Sequence, residues 1–122
     1  DMSGSMGSPI TGNGPQASKM TCVDVAALIA SSIVRKNRSA EMWTFNHDAV
    51  KVNLNPRDTV LTNASKLAKA GGGTSISVPL NKLNQMKAKG DAVVYVSDYE
   101  SWIDSGGSYS YYGGGTALAN EW

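Results

Sequence analysis

Ala-Val-Val-Tyr-Val-Ser-Asp, residues 92–98, is the stretch of sequence that bears most directly on the fold. Its continuous apolar run predicts a strand over residues 92–97 that is buried on both faces, as the strands of a parallel sheet are. Asp98 would lie at the carboxyl end of this strand, which is where open α/β sheets bind their ligands. The stretch therefore predicts both a sheet and the edge at which a functional site should be sought.

Upstream of this stretch, helical and strand-like patterns alternate along the chain. Thr21 and Asp24 have the spacing of a helix cap, and apolar residues at intervals of three and four predict an amphipathic helix over about residues 18–36. The other predicted elements are a strand at residues 41–45, a turn at 46–49, a strand at 50–54, and helices over 56–70 and 74–90. The alternation indicates an α/β fold with a doubly wound, mostly parallel sheet flanked by helices.

Composition limits the classes of protein to which the chain can belong. Hydrophobic residues make up 41% and charged residues 17% of the sequence, which is a globular composition. A formal net charge of +1 gives no bulk electrostatic reason to expect nucleic acid or a membrane as a partner. The single cysteine, Cys22, excludes an internal disulfide and fits a reducing compartment, so we expect a cytoplasmic protein. No apolar run approaches the roughly 20 residues of a membrane span.

Oxygen-bearing side chains that suit a metal ion occur in three separate segments. The segments are Asp1-Met2-Ser3-Gly4-Ser5, Gly73-Thr74-Ser75 and Ser97-Asp98. Two carboxylates with three hydroxyls suit a hard cation such as Mg²⁺, with Mn²⁺ or Ca²⁺ as alternatives. Zinc is not expected, because the sequence has no cluster of Cys and His residues. The predicted ligands are Asp1, Ser3, Ser5, Thr74 and Asp98.

This ligand chemistry predicts what the ion would do. Hydroxyls are neutral, so only two carboxylates offset the ionic charge, and the ion could accept one more oxygen from an acidic group of a protein partner. The competing interpretation is that Asp-x-Ser-x-Ser is only a helix cap or an Asx turn. Nothing in the sequence resembles a nucleophile elbow or a phosphate-binding loop, so we do not expect an enzyme.

The ligand pattern resembles the metal-ion-dependent adhesion site of von Willebrand factor A (vWA) domains, and the resemblance covers nearly the whole chain. It implies that the serines and the threonine bind the metal directly or through water, and that the aspartates often act through water. The family's sheet also needs a central strand before Asp1 and further strands after Trp122. The resemblance therefore implies a partial vWA domain over residues 1–122.

A narrower resemblance is to the A domain of the Ro autoantigen (TROVE-module) family. It is carried by Asp-Met-Ser-Gly-Ser-Met, by Gly-Gly-Gly-Thr-Ser-Ile-Ser-Val-Pro-Leu and by Val-Ser-Asp-Tyr-Glu-Ser-Trp, at residues 1–6, 71–80 and 96–102. The family binds small Y-type noncoding RNA and the ends of misfolded RNA in RNA quality control, mainly on a ring of helical repeats. That ring is not in this sequence, so the resemblance implies RNA binding only through the parent protein.

Three hypotheses for the function follow. The first is the non-catalytic metal-binding A domain of a Ro-like RNA-binding protein. The second is an interaction or adhesion domain that docks an acidic partner on the ion and has no RNA role. The third is an accessory domain of a metal chelatase or an ATPase. Glu100 and Asp104 could tune the ion or be ordinary solvated acids, and Trp102 is expected to pack its loop down more than to meet a partner. Tyr109, Tyr111 and Tyr112 could form a recognition surface or an ordinary surface loop, while His47 is expected to be an ordinary surface residue.

Overall fold

The computed structural model describes residues 1–12 and 14–99 of the chain. In this part a short 3-10 helix at Gly4–Gly7 is followed by helix α1 and then by a two-stranded sheet. Two further helices complete the order. The bounds are α1 Cys22–Lys36, β1 Met42–Phe45, β2 Ala49–Val52, α2 Val60–Leu67 and α3 Val78–Gln85.

Helix α1 begins where the sequence places its cap. The Thr21 side chain accepts a hydrogen bond from the backbone N–H of Asp24, and the Asp24 carboxylate accepts one from the backbone N–H of Thr21. This reciprocal pair satisfies two donors that the first turn of a helix cannot use internally. The predicted helix is confirmed, but it begins at Cys22 instead of residue 18, because the cap lies at Thr21.

Strands β1 and β2 form an antiparallel hairpin. Met42 lies opposite Val52 and Phe45 opposite Ala49, which fixes the register. The turn between them closes through a hydrogen bond of 2.9 Å from Asn46 N to the carbonyl oxygen of Asp48. Both strands and the turn were predicted, although Leu54 lies beyond the end of β2.

Residues 92–97 do not form a strand, which corrects the prediction made from their apolar run. Val93 and Val94 are exposed, Val94 by 65%. A strand requires a neighbour for its ladder hydrogen bonds, and in residues 1–12 and 14–99 the only strand pair is β1 with β2. The described residues thus form an α/β arrangement with an antiparallel pair, and the predicted parallel sheet is not seen among them.

The core consists of small clusters that join loops to helices. Met6 packs with Val23 and Ala26 of α1, and Met2 and Val96 pack against this cluster. A second cluster lies between α1 and α2, where Leu67 packs with Ala27 and Ala64. In the third, Phe45 packs with Ala49 and Ile76, and the ring of Tyr95 meets that of Phe45 edge-on at 5.7 Å. The first and third clusters include Met2, Val96 and Ile76, which lie close in sequence to the predicted ligands.

None of the helices in the described ranges is long and apolar enough to cross a membrane.

Candidate metal centre

The Asp-x-Ser-x-Ser loop is folded so that its polar atoms lie close together. Asp1 Oδ1 accepts a hydrogen bond of 2.8 Å from the backbone N–H of Ser3, and the Oγ atoms of Ser3 and Ser5 are 3.2 Å apart. Ser3 has no exposed surface. Although Ser3 occupies the N-cap position of the 3-10 helix, its side chain makes no capping hydrogen bond. The loop therefore contains the Asx turn that the competing interpretation predicted, but its hydroxyls do not serve as a helix cap.

The glycine-rich loop before Thr74 is attached directly to this first loop. Gly71 N donates to the carbonyl oxygen of Met2 at 2.8 Å, and Gly4 N donates to the carbonyl oxygen of Gly72 at 2.9 Å. Thr74 is buried, with 2% of its surface exposed. The structure thus brings the Thr74 segment beside the segment that carries the two serines.

The third segment, residues 96–98, contacts Asp1. The backbone nitrogen of Asp1 donates to the carbonyl oxygen of Val96 at 3.1 Å, and Ser97 Oγ donates to Asp1 Oδ2. Asp98 follows at once and is exposed. The carboxylate of Asp98 interacts electrostatically with the nitrogen of Asp1, so the two aspartates lie near each other.

The carboxyl end of β1 contacts two of the three segments. Met2 N donates to the carbonyl oxygen of Phe45 at 2.7 Å, and Ser75 N donates to that of Asn46 at 2.7 Å. The Asn46 side chain also donates from Nδ2 to the carbonyl oxygen of Gly71 at 3.1 Å. Asn46 and the side chain of Ser97 were not among the predicted site residues. Their position directly after β1 and directly before Asp98 is the sequence signal that could have identified them.

The oxygen donors of these three segments suit a hard divalent cation. Within residues 1–12 and 14–99, no three His, Cys, Asp or Glu side chains come together. The predicted set does not require such a group, since it consists of two carboxylates and three hydroxyls, and Ser3 and Thr74 carry buried hydroxyls. Oxygen donors of this kind suit Mg²⁺, Mn²⁺ or Ca²⁺. The ligand set itself stays a prediction.

The remaining candidates have different outcomes. His47 is exposed in the β1–β2 turn, as expected of a surface residue. The other secondary candidates lie outside the described residues; they are Glu100, Trp102, Asp104, Tyr109, Tyr111 and Tyr112.

Comparison with known families identifies the class of this domain. The family model described as the Ro60 vWA domain matches residues 1–109. The chain therefore belongs to the Ro60 vWA domain family, and the resemblance seen in its sequence is confirmed. No curated protein and no solved structure matches the chain.

Proposed function

We propose that this domain binds one divalent cation, Mg²⁺ in the first place, as the non-catalytic A domain of a cytoplasmic Ro-like RNA-binding protein. The proposed ligands are Asp1, Ser3, Ser5, Thr74 and Asp98. The observation that supports the proposal best is the attachment of the other two ligand-bearing segments to the loop of residues 1–5 by backbone and side-chain hydrogen bonds. Segments far apart in the sequence are thereby held at one place without a cluster of carboxylates to repel one another.

The proposed role of the ion is to bind a partner. Three of its five protein ligands are neutral hydroxyls, so the two carboxylates alone offset its charge. An acidic side chain of a protein partner is the group that would best complete its coordination. The exposure of Asp98 supports this role, because the site then opens to solvent on the side of that residue.

Family membership supports the wider part of the proposal. The match of residues 1–109 to the Ro60 vWA domain model supports the proposal that this domain is part of a Ro-like protein. In that context small noncoding RNA is a ligand of the parent protein, in RNA quality control. The doubly wound, mostly parallel sheet expected of the class belongs to the same proposal. Its support is the family match, because the described strand pair is antiparallel.

The metal site is tested by thermal melting of the full-length protein with and without millimolar Mg²⁺. A ligand present at 100 times its Kd stabilises the folded state by about 2.7 kcal/mol, so the wild type should melt at a clearly higher temperature with Mg²⁺. Asp98→Ala should lose this response. Asp91→Ala is the matched control, because Asp91 is an exposed aspartate outside the proposed set and should keep the response. A wild-type melting temperature that ignores Mg²⁺ contradicts the proposal.

The RNA context is tested by purifying the full-length protein and sequencing the nucleic acid that accompanies it. Small structured RNA should copurify above the background of a vWA-containing protein from another family. Absence of RNA together with an intact Mg²⁺ response would favour a protein-interaction domain without an RNA role.

A further inference from the structure

We propose that Asn46 is a positioning residue of the metal site, which sets where the Thr74 loop stands relative to the loop of Ser3 and Ser5. This inference rests on the proposed function, because it concerns how the same site is held together. Asn46 is not one of the proposed ligands. It follows Phe45, the last residue of β1.

Asn46 holds the Thr74 loop on both sides of Thr74. Its Nδ2 donates to the carbonyl oxygen of Gly71 at 3.1 Å, three positions before Thr74. Its own carbonyl oxygen accepts a hydrogen bond of 2.7 Å from Ser75 N, one position after Thr74. Because both ends of this short span are attached to one residue, the position of Thr74 follows that of Asn46.

The same end of β1 also holds the first loop. The carbonyl oxygen of Phe45 accepts a hydrogen bond of 2.7 Å from Met2 N. Phe45 is itself buried in a cluster with Ala49 and Ile76, so this attachment point is fixed by packing. Phe45 and Asn46 are consecutive, and the two hydroxyl-bearing loops are therefore aligned on a single stretch of backbone.

The Asn46 side chain has a defined orientation. Asp48 N donates to its Oδ1 at 3.2 Å, and this identifies the amide oxygen and leaves the nitrogen to face Gly71. Gly72 packs closely against that nitrogen: a Cβ on Gly72 would lie 3.1 Å from Asn46 Nδ2. The amide thus lies between the β1–β2 turn and the Thr74 loop and is hydrogen-bonded to both.

Loss of this hydrogen bond should weaken metal binding more than it weakens the fold. Groups that orient metal ligands without binding the metal typically contribute about 10- to 100-fold to metal affinity. The Asn46 side chain provides one such contact, while its two backbone hydrogen bonds survive any substitution other than proline. We therefore expect Asn46→Ala to reduce Mg²⁺ affinity about tenfold.

The experiment measures Mg²⁺ affinity by isothermal titration calorimetry, and metal-free melting temperature, on the full-length protein. Asn55→Ala is the matched control, because the Asn55 side chain makes the same kinds of hydrogen bond. Its Oδ1 accepts from the backbone nitrogen two residues later, that of Arg57, at 3.0 Å. Its Nδ2 donates to Asp58 Oδ1 at 3.1 Å. Asn55 is not bonded to any of the ligand-bearing loops among the described residues. Both variants should lower the metal-free melting temperature by similar amounts, and only Asn46→Ala should weaken Mg²⁺ binding.

Two further variants make the test specific. Asn46→Ser keeps an acceptor for Asp48 N but is too short to reach Gly71, so it should reproduce the affinity loss even if Asn46→Ala folds poorly. In a Thr74→Ala background, Asn46→Ala should reduce the remaining Mg²⁺ affinity by less than about twofold. The effects of two substitutions are not additive when the two residues act through the same contact.

The outcomes separate this inference from the proposed function. If the wild type binds Mg²⁺ and both Asn46 variants bind it with the same affinity, the inference is overturned and the proposed function still stands. If Asn46→Ala still reduces the Mg²⁺ affinity about tenfold in the Thr74→Ala background, Asn46 does not act by positioning Thr74. A wild-type protein that binds no Mg²⁺ overturns the proposed function and this inference with it.

Discussion

Ser97 donates a hydrogen bond from Oγ to Oδ2 of Asp1, a residue 96 positions away in the chain. The other carboxylate oxygen of Asp1 accepts from Ser3 N at 2.8 Å, so the group is oriented by contacts on both of its oxygens. Ser97 Oγ also accepts from Tyr99 N at 3.0 Å, which fixes the hydroxyl in turn. The orientation of a proposed metal ligand is therefore set by a residue that was not predicted to belong to the site.

The first prediction is that Ser97→Ala weakens Mg²⁺ binding about tenfold, because the Asp1 carboxylate loses the contact that orients Oδ2. Calorimetric titration of the full-length protein with Mg²⁺ measures the change. Ser32→Ala is the control, since the Ser32 hydroxyl donates to the carbonyl oxygen of Leu28 on α1, away from the site. Equal Mg²⁺ affinities for wild type and Ser97→Ala would show that Asp1 needs no such orientation.

The second prediction concerns the backbone of Gly72. Its φ is +81°, and a Cβ there would lie 3.1 Å from both Asn46 Nδ2 and His47 Nδ1. A non-glycine residue in the left-handed region costs roughly 1–2 kcal/mol, before any steric conflict. Gly72→Ala should therefore lower the free energy of unfolding by about 1–3 kcal/mol, measured by urea denaturation.

Gly71→Ala is the matched control for this prediction. A Cβ on Gly71 meets no heavy atom of the described residues within 4 Å, and Gly71 is not among the positive-φ glycines. Its substitution should change the free energy of unfolding by less than about 0.5 kcal/mol. Equal effects of the two substitutions would contradict the role assigned to the Gly72 backbone.

Local chemistry in the sequence predicted the local elements of the fold. Thr21 and Asp24 marked the start of α1 because a capping box involves residues only three positions apart. The alternating pattern around Val50 and Val52 marked β2, and the hairpin followed from the short turn before it. Such signals are complete within one short window, and the structure confirms them.

Non-local contacts could not be predicted in the same way. A continuous apolar run like residues 92–97 is compatible with a buried strand, but whether it pairs depends on a neighbour elsewhere. The contacts of Asn46 with Gly71 and of Ser97 with Asp1 span 25 and 96 positions. No periodicity or spacing encodes them. The sequence pattern therefore suggested the proposed ligands, which stay a prediction, and did not indicate the contacts made by Asn46 and Ser97.

The third prediction tests the packing of α2 against α1. Leu67 is 5% exposed and packs with Ala27 and Ala64, so Leu67→Ala should lower the free energy of unfolding by about 2–4 kcal/mol. Leu61, on the same helix, is 72% exposed, and Leu61→Ala should cost less than about 0.5 kcal/mol. Urea denaturation of both variants gives the comparison. A small effect at Leu67 would show that this cluster is not part of the stable core.

The fourth prediction is a pH dependence at the start of α1. The Thr21 hydroxyl donates to Asp24 Oδ2 at 2.7 Å and Thr21 N donates to the same atom at 2.8 Å. These hydrogen bonds hold the pKa of Asp24 below its ordinary value of 3.8. Because the folded state lowers this pKa, the resulting stabilisation is present above the unfolded value and is lost as the pH falls through the folded one.

Thr21→Ala should therefore cost about 1 kcal/mol at neutral pH, and less at an acidic pH below 3.8, where the Asp24 carboxylate takes up a proton and these hydrogen bonds lose their charge. Thr59→Ala is the matched control, because Thr59 caps α2 by accepting from Thr62 N at 3.1 Å, with the Thr62 hydroxyl as its side-chain partner and no carboxylate. Its cost should be the same at both pH values. Urea denaturation of the three proteins at each pH measures the two differences. A Thr21→Ala cost that does not shrink on acidification would mean that the cap stabilises α1 through its neutral hydrogen bonds alone.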